Sequence, residues 1–361
     1  MNRETSPIID EAIYIVGAGA QTPVGRSVLA AAAAVRCGIS AYAEHPFMTD
    51  KQGEPMVVAM ADWLAETLTL EDRIATLATD AARETLHPLG AQLPTLCRGM
   101  SVHFALAAEN LPDPAQRDRV LGRVLAASGL PAGLTTEMIA AGHAGGLLAL
   151  ENAVRDLRNG RTGLCLVGGA DSWLDPERLE AVDFAGRLHS VNNSWGFTPG
   201  EGAGFCLLAT GALARASGLV PLAELMAVAT AEETKLMGTN TVCLGEGLTA
   251  AFQGVLPASR DLGRTVDHCY CDFNGETYRA EEYGFAICRT RDGFDDPGSF
   301  TAAAECWGDV GAASGPLALA LPLAAWARGY AKGATHLAWS SSATGPLRGA
   351  ALLKQVTAQA N

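Results

Sequence analysis

The sequence is poor in the features that mark nucleic-acid-binding and membrane proteins. Only 6% of its 361 residues are aromatic, and 26 Lys and Arg stand against 39 Asp and Glu, a formal net charge of −13. A chain this acidic, without a basic run, is unsuited to nucleic acid or anionic membranes. No apolar stretch reaches the roughly 18 residues that a membrane-spanning helix needs. We therefore predict neither a nucleic-acid partner nor a membrane partner.

The sequence also lacks signs of secretion. Its first residues, MNRETSPIIDEA, do not show the charged and then apolar pattern of a secretory signal. The nine cysteines are an odd number and lie in apolar segments such as GLCLVGG and GFCLLA. We interpret them as small buried residues of a protein in a reducing compartment, and we predict a cytoplasmic location. Apolar residues make up 48%, enough for a large core without disulfides or a metal.

The first elements are a strand at 13–16, a Gly-rich turn at 17–25 and an alanine-rich helix at 27–35. The turn reads GAGAQTPVG, which does not complete the G-x-G-x-x-G pattern of dinucleotide-binding proteins, so we predict no cofactor. Residues 40–70 are punctuated by Pro and Gly and are expected to form an irregular loop or cap. Apolar residues at helical spacing predict a helix over 70–86.

Two segments follow the same plan of a Gly-rich elbow, a helix and a buried strand. The first is LTTEMIAAGHAGGLLALENAVRDLRNGRTGLCLVGGADS, and the second is CWGDVGAASGPLALALPLAAWARGYAKGATHLAWSSSA. We expect His143 and Asp309 to open equivalent helices. A repeat of this size predicts duplicated halves about a pseudo-twofold axis. We place the halves at residues 1–212 and 213–361, sharing one continuous core.

These landmarks resemble those of the β-ketoacyl synthases of the thiolase superfamily, in order and over nearly the whole chain. The similar segments are IYIVGAGAQTPVG, LEDRIATLATDAARETL, HAGGLLALENAVRDLRNGRTGLCLVGGAD, WGFTPGEGAGFCLLA, DFNGETYRAEE and WGDVGAASG. The resemblance implies an α/β, thiolase-like fold. Two pseudo-symmetric βαβαβαββ halves would form a five-layer αβαβα sandwich.

The resemblance also shows that the residues of the family's chemistry are replaced. That chemistry needs a cysteine nucleophile at the first elbow and two histidines. His143 stands at the cysteine position, Asn274 at the first histidine position, and Asp309 at or beside the second. A lysine found in many synthases has no counterpart, because Gly284 falls at its position. Loss of a covalent nucleophile alone can lower turnover about 10⁶-fold, so we predict no condensation by the family's route.

Two interpretations of the replaced residues remain open. His143 is either a general base oriented by Asp309 or Glu276, or a filler of the old cavity that hydrogen-bonds to Asn274 or Asp309. At a helix N-terminus we expect a neutral imidazole. No ligand spacing supports a metal site built from His143, Asp309 and Glu276. The polar residues from Glu276 to Glu282 form either a salt-bridged surface or a solvated helix start.

Three functions follow from these interpretations. The first is a non-catalytic adaptor or chaperone that binds another protein, such as a type VI secretion effector. The second is an acyltransferase or hydrolase that uses His143 on acyl thioesters. The third is a partner of an active ketosynthase, like a chain-length factor. The resemblance implies a homodimer or heterodimer formed through residues 100–107 or 134–140.

Overall fold

A computed structural model describes residues 11–237 and 239–356 of the chain. The strands are β1 Ile13–Gln21, β2 Tyr42–Thr49, β3 Pro55–Ala59, β4 Ser101–Leu106, β5 Thr135–Ile139, β6 Leu164–Ser172, β7 Glu201–Thr210, β8 Ala223–Glu232, β9 His268–Cys271, β10 Phe300–Ala302, β11 Thr335–Ser341 and β12 Leu347–Gln355. The helices are α1 Val28–Cys37, α2 Leu70–Leu86, α3 Leu93–Leu96, α4 Pro114–Ala127, α5 Gly145–Arg158, α6 Pro176–Phe184, α7 Gly211–Ser217, α8 Glu246–Arg260, α9 Thr277–Thr290, α10 Ala304–Trp307 and α11 Ser314–Ala327.

The main sheet is built from two half-sheets with the same strand order. The first half runs β1-β7-β6-β4-β5, and the second runs β8-β12-β11-β9-β10. Parallel and antiparallel pairs fall at the same places in both halves. The halves join where residues 13–15 of β1 pair with residues 223–225 of β8. The predicted duplication is therefore confirmed in the topology.

Helices cover and separate the half-sheets in five layers. Helices α5 and α11 contact strands of both half-sheets and each other, which places them in the central layer. Helices α2 and α4 pack on the outer face of the first half-sheet, and α8 and α9 pack on that of the second. This is the αβαβα sandwich that the sequence predicted. The division at 212/213 stays a prediction, and it falls within α7.

Helix α5 is central because its sequence suits burial. Small residues line its first turn, and Gly146 packs so closely on Pro316 of α11 that an added Cβ would overlap the proline ring. The buried face of α5 continues through leucine and alanine at helical spacing. Helix α11 is apolar all round, as expected for a helix enclosed between two sheets.

Residues 40–70 differ from their prediction. They contain the antiparallel hairpin β2–β3, whose turn is closed by hydrogen bonds between Asp50 and both Gly53 and Glu54. Gly53 has a φ of 85°, a conformation that favours glycine. Because most side chains of β2 are exposed, its sequence has no apolar alternation to reveal the strand.

Candidate functional site

The two Gly-rich elbows have the same backbone shape but carry different residues. Each is a 3₁₀ turn that leads into a central helix, Gly142–Ala144 before α5 and Gly311–Ala313 before α11. Each begins with a glycine of positive φ, 59° at Gly142 and 47° at Gly311. The residue equivalent to His143 is therefore Ala312. The expectation that Asp309 holds this position is wrong, because Asp309 lies in the turn before the elbow.

His143 is buried at its elbow and bound to Asp309. Its Nε2 lies 2.8 Å from Asp309 Oδ1 and 2.9 Å from Oδ2, and the residue is 2% exposed. Since an ionised carboxylate only accepts hydrogen bonds, His143 Nε2 is the donor. The Ser340 hydroxyl donates to the His143 carbonyl and holds the elbow against β11. The structure thus selects Asp309 as the group that orients His143.

Asp309 is held in place by backbone contacts with the segment before β7. Its N–H donates to Thr198 O, and its carbonyl accepts from Gly200 N. The preceding residue, Gly308, has φ 75° and ψ −176°, which only glycine adopts without strain. The carboxylate is therefore set in place independently of the histidine.

The Asp309 carboxylate receives three further hydrogen bonds. Trp173 Nε1 donates to Oδ1 at 3.0 Å, the Gly311 N–H donates to Oδ1 at 2.9 Å, and Asn274 Nδ2 donates to Oδ2 at 2.7 Å. Burial alone raises the pKa of Asp309, but His143, Arg279 and the Gly311 N–H together hold it well below its usual range. Asp309 is therefore a carboxylate.

Asp309 favours the charged form of His143, whereas the helix dipole behind the prediction opposes it. Burial lowers the pKa of His143, but the charge and hydrogen bond of Asp309 outweigh burial and raise it above its ordinary value. The expected neutral imidazole took account of the helix dipole only. The carboxylate at 2.8 Å therefore stabilises the protonated ring, an influence that the prediction omitted.

Asn274 and Glu276 extend the network away from the histidine. Asn274 Nδ2 also approaches Glu276 Oε2 at 3.0 Å, and Asn274 Oδ1 accepts from the Glu276 N–H. Glu276 accepts two hydrogen bonds from the guanidinium of Arg187, at 2.7 and 3.1 Å. All four predicted site residues, His143, Asn274, Asp309 and Glu276, therefore lie in one connected network, with Glu276 at its outer end.

Four further residues of this network did not emerge from the sequence as site residues. Arg279 has no exposed surface, and its Nη1 donates to Asp272 Oδ2 at 2.6 Å and to Ser341 O at 2.8 Å. Its Nη2 lies 4.0 Å from Asp309 Oδ2. The four residues are therefore Trp173, Arg187, Asp272 and Arg279. Trp173 follows directly on the first elbow–helix–strand segment, and Arg187 lies between that segment and WGFTPGEGAGFCLLA. No local pattern indicates that these side chains reach Asp309 and Glu276, which are more than 80 residues away in sequence.

The polar segment from Glu276 to Glu282 is partly a salt-bridged layer and partly a solvated helix face, so it combines the two predicted alternatives. Glu276, Arg279 and Glu282 are buried in ion pairs with Arg187, Asp272 and Arg348, whereas Glu281 is exposed. One face of α9 is therefore a buried ionic layer, and the other is solvated.

The cysteines offer no replacement nucleophile at this site. Six of the nine are buried, only Cys306 lies within ten residues of an elbow in sequence, and all nine are free thiols. Burial raises the pKa of Cys165, Cys206 and Cys269 to about 12, and it also raises that of Cys306. A thiol with a raised pKa is a poor nucleophile at neutral pH.

Possible metal ligands are already neutralised by protein groups. Glu233, Cys243 and Glu282 bring ligand atoms within 4.8 Å of one another. Arg348 donates to Glu282, however, and Glu233 accepts from the Lys235 and Gly247 N–H groups. In the predicted site, Asp309 and Glu276 are likewise bound to protein cations. We assign no metal to either group.

A cavity of about 560 Å³ opens beside Asn274 and Glu276. Its walls include Tyr42, Trp195, Phe273 and Phe300, and Trp195 is 68% exposed. Three carboxylates line it, those of Glu276, Glu281 and Glu305, and neither Lys nor Arg does. His143 and Asp309 do not contribute to its surface. The cavity is therefore aromatic and acidic, and it ends before the ion pair.

Comparisons with known proteins agree with this description. Residues 133–214 match the family model for the N-terminal domain of β-ketoacyl synthases. A search of curated protein sequences gives no match. Together with the solved structures described next, the family match confirms the resemblance to β-ketoacyl synthases.

Three similar solved structures have the ketosynthase fold. One is a type II polyketide ketosynthase in complex with its acyl-carrier protein and bound to a hexaketide, with TM-score 0.77, 16% identity, and coverage of 96% of this chain and 100% of that chain. The ishigamide ketosynthase/chain length factor has a TM-score of 0.77 and 18% identity, with coverage of 96% of this chain and 100% of that chain. A β-ketoacyl synthase from Burkholderia phymatum has a TM-score of 0.74 and 15% identity, with the same two coverages.

These likenesses define the chain as a protein of the thiolase-like, ketosynthase fold. At 15–18% identity they establish the fold alone, so function must be argued from the site. Among the described residues, no helix is long and apolar enough to cross a membrane.

Proposed function

We propose that this protein is a ketosynthase-fold protein that has lost condensing activity and acts by binding another protein. The observation that carries the proposal is the His143–Asp309 ion pair at the position where the family has its nucleophile. His143 Nε2 is engaged by both carboxylate oxygens, and Asp309 has three other donors. His143 Nε2 and both oxygens of Asp309 are thus already engaged, and neither side chain supplies the thiolate that attacks the thioester in the family's reaction.

The acidic cavity also counts against carrier-protein chemistry. A carrier delivers its acyl group on a phosphate-bearing arm, and carriers are themselves acidic. Glu276 is paired with Arg187, but Glu281 and Glu305 form no ion pair within the described residues and would repel such an arm, and no basic side chain lines the cavity to offset them. Binding of an acyl thioester therefore stays a secondary possibility within this proposal.

The edge strand β5 supplies a surface for protein binding. Within the described residues β5 pairs only with β4, so its other edge keeps free N–H and C=O groups. Thr135, Thr136 and Glu137 are exposed there. Strand β4 lies between β5 and β6, so residues 134–140 and not 100–107 have the free edge. An open edge is a ready template for pairing with another chain.

The proposal is tested by affinity purification from the native cells, with mass spectrometry of the bound proteins. A Thr136→Lys variant places a charge on the free edge, and a Thr67→Lys variant places the same charge on an exposed loop elsewhere. We expect a stoichiometric partner with the wild type and with Thr67→Lys, lost with Thr136→Lys. If nothing stays bound, or if Thr136→Lys retains the same partner, the β5 proposal is wrong.

The partner's identity separates two versions of the proposal. A secreted effector, such as one of a type VI system, would make the protein an adaptor or chaperone. An active ketosynthase would make it resemble a chain-length factor, a role that the likeness to the ishigamide ketosynthase/chain length factor favours. That second version predicts a stable heterodimer by light scattering, and a homodimer that ignores the ketosynthase would contradict it. Cytoplasmic location stays part of the proposal.

An alternative is an acyltransferase or hydrolase in which His143 is a general base. Asp309 lies where such a base would need an orienting carboxylate. Asp309 raises the pKa of His143 against the effect of burial, which favours the protonated ring, and Nε2 already donates to that carboxylate, so this role has less support. Turnover of acyl thioesters that is lost in His143→Ala would support the alternative, and turnover unaffected by it would end it.

A further inference from the structure

A second cavity, of about 340 Å³, lies on the other side of the edge strand β10. Thr301 lines this cavity, whereas its neighbours Phe300 and Ala302 line the acidic one. This follows from strand geometry, since successive side chains point to opposite faces. The cavity is bounded by α1, β9 and the chain that follows α11, and none of its residues belongs to the His143 network.

The charge of this second cavity is opposite to that of the rest of the chain. Arg36 and Lys332 line it, and no carboxylate does. Neither cation forms an ion pair within the described residues, although the chain carries 39 acidic side chains. Two unpaired cations that share one cavity favour an anionic ligand.

Arg36 and Lys332 are exposed residues that reach the same cavity. The Arg36 guanidinium lies over the ring of Tyr330, 4.3 Å from its centroid, a distance typical of cation–π contact. Burial and, next, the charge of Lys332 lower the pKa of His268 to about 4. His268 is held by the hydroxyls of Ser299 and Thr301 at 2.8 and 2.9 Å.

A tyrosine hydroxyl in the cavity wall has no protein partner. The Tyr270 residue is 7% exposed and lines the cavity, and its hydroxyl makes no hydrogen bond within the described residues. The hydroxyl is therefore free to donate a hydrogen bond to a ligand in the cavity. The floor of the cavity is apolar, formed by Val35 and Leu321 among others. The ligand therefore needs an anionic group near the cations and an apolar part below them.

We propose that this cavity binds an organic phosphomonoester, with the phosphate between Arg36 and Lys332 and a hydrogen bond from the Tyr270 hydroxyl. A phosphomonoester carries about −1.5 to −2 charges near pH 7, which matches two cations better than a carboxylate does. The volume lies within the range of small-molecule sites and exceeds what inorganic phosphate fills. This proposal does not depend on the adaptor role.

The test is calorimetric titration of the full chain with phenyl phosphate, with benzoate and benzyl alcohol in parallel. We expect saturable binding of phenyl phosphate below about 1 mM, and weaker binding of both other compounds. Equal or tighter binding of benzoate would overturn the assignment to a phosphomonoester. So would the absence of saturable phenyl phosphate binding at ten times that concentration.

Variants locate the site. Arg36→Ala and Lys332→Ala should each weaken binding at least about tenfold, and Tyr270→Phe about threefold, because each removes one hydrogen bond or charge. Arg328→Ala removes an equal charge from an exposed position outside the cavity, and it should change affinity less than about twofold. If Arg328→Ala weakens binding as much as Lys332→Ala, the effect is one of net charge and the site is wrong. Tyr270→Phe keeps the ring and so guards against misfolding.

Discussion

The two elbows of this protein have the same backbone conformation, but each is contacted in a different way by an aspartate from the other half. In the first half, Asp309 crosses over to bind the His143 side chain. In the second half, Asp171 at the end of β6 crosses over to accept the backbone N–H of Ala312 at 2.8 Å. The two aspartates occupy different positions in their halves, Asp309 before an elbow and Asp171 at the end of β6, yet each contacts the elbow of the opposite half.

The two aspartates are equally buried but have opposite pKa shifts. Cations surround Asp309, which is held ionised by His143 and Arg279. Neutral donors surround Asp171: the Asn110 amide and the N–H groups of Ala312 and Ser172. Burial therefore prevails at Asp171 and raises its pKa to about 7. The charge of the neighbouring groups, more than burial, therefore sets the direction in which the pKa of each buried carboxyl shifts.

The largest effect is expected from removing the carboxylate of the first pair. Asp309→Ala leaves the buried His143 ring without its partner beside Arg279, so that the ring favours its neutral form, and it deprives Trp173 of its acceptor. Breaking one side of a buried pair costs about 3–5 kcal/mol, so we expect the free energy of unfolding to fall by that amount. Urea denaturation at pH 7 measures it. A loss below about 1 kcal/mol would show that the pair is not a buried ion pair.

Removing the histidine should cost less than removing the aspartate. In His143→Ala, Asp309 keeps three hydrogen-bond donors and the nearby charge of Arg279, so we expect a loss of about 1–3 kcal/mol. The double variant His143→Ala/Asp309→Ala should show a coupling energy of at least about 1 kcal/mol by denaturation. Additive losses would contradict a direct interaction between the two residues.

Substitution of the two elbow glycines by alanine distinguishes backbone strain, expected at both positions, from steric overlap of the new Cβ, expected only at Gly311. Both glycines have positive φ, so each change to alanine should cost about 1–3 kcal/mol of strain. A Cβ at Gly142 meets Ser342 Oγ at an ordinary 3.4 Å, whereas a Cβ at Gly311 overlaps the Asp171 carboxylate. We therefore expect Gly311→Ala to lower the melting temperature more than Gly142→Ala does. Equal shifts would show that the overlap is relieved without cost.

The second elbow should show a pH dependence of stability of its own. The folded pKa of Asp171, about 7, lies above its ordinary value of 3.8, so the folded chain holds this proton more tightly than the unfolded chain. Its contribution to stability is full below about pH 4 and is lost as pH rises through 7. Asp171→Asn should flatten this decline when stability is measured by denaturation from pH 5 to 8. An unchanged decline would assign it to another group.

The opposite sign applies at the first elbow. The pKa of Asp309 is lower in the folded chain, so its contribution is present above its ordinary pKa and is lost as pH falls below about 4. The same titrations extended to acid test this as a matched comparison. If Asp309→Asn and the wild type lost stability equally below pH 4, the carboxylate would not be held ionised by the fold.

Much of the fold and part of the site could be predicted from the sequence, because both rest on local patterns. Helix α2 has the predicted bounds, since its apolar spacing and its Thr69 cap are encoded locally. The four candidate residues meet in one network. The predicted position of Asp309 was wrong because the segment between β10 and the second elbow is longer than the segment between β5 and the first elbow. The contributions of Trp173, Arg187 and Arg279 depend on long-range packing, which one sequence does not reveal.

We propose that the first elbow is a structural ion pair and no longer a catalytic centre. The most direct test is the turnover of malonyl and acyl thioesters by the wild type, compared with His143→Ala and with heat-inactivated protein. We expect no turnover above the inactivated control, and no difference between the wild type and His143→Ala. Saturable turnover by the wild type that disappears in a folded His143→Ala variant would contradict it.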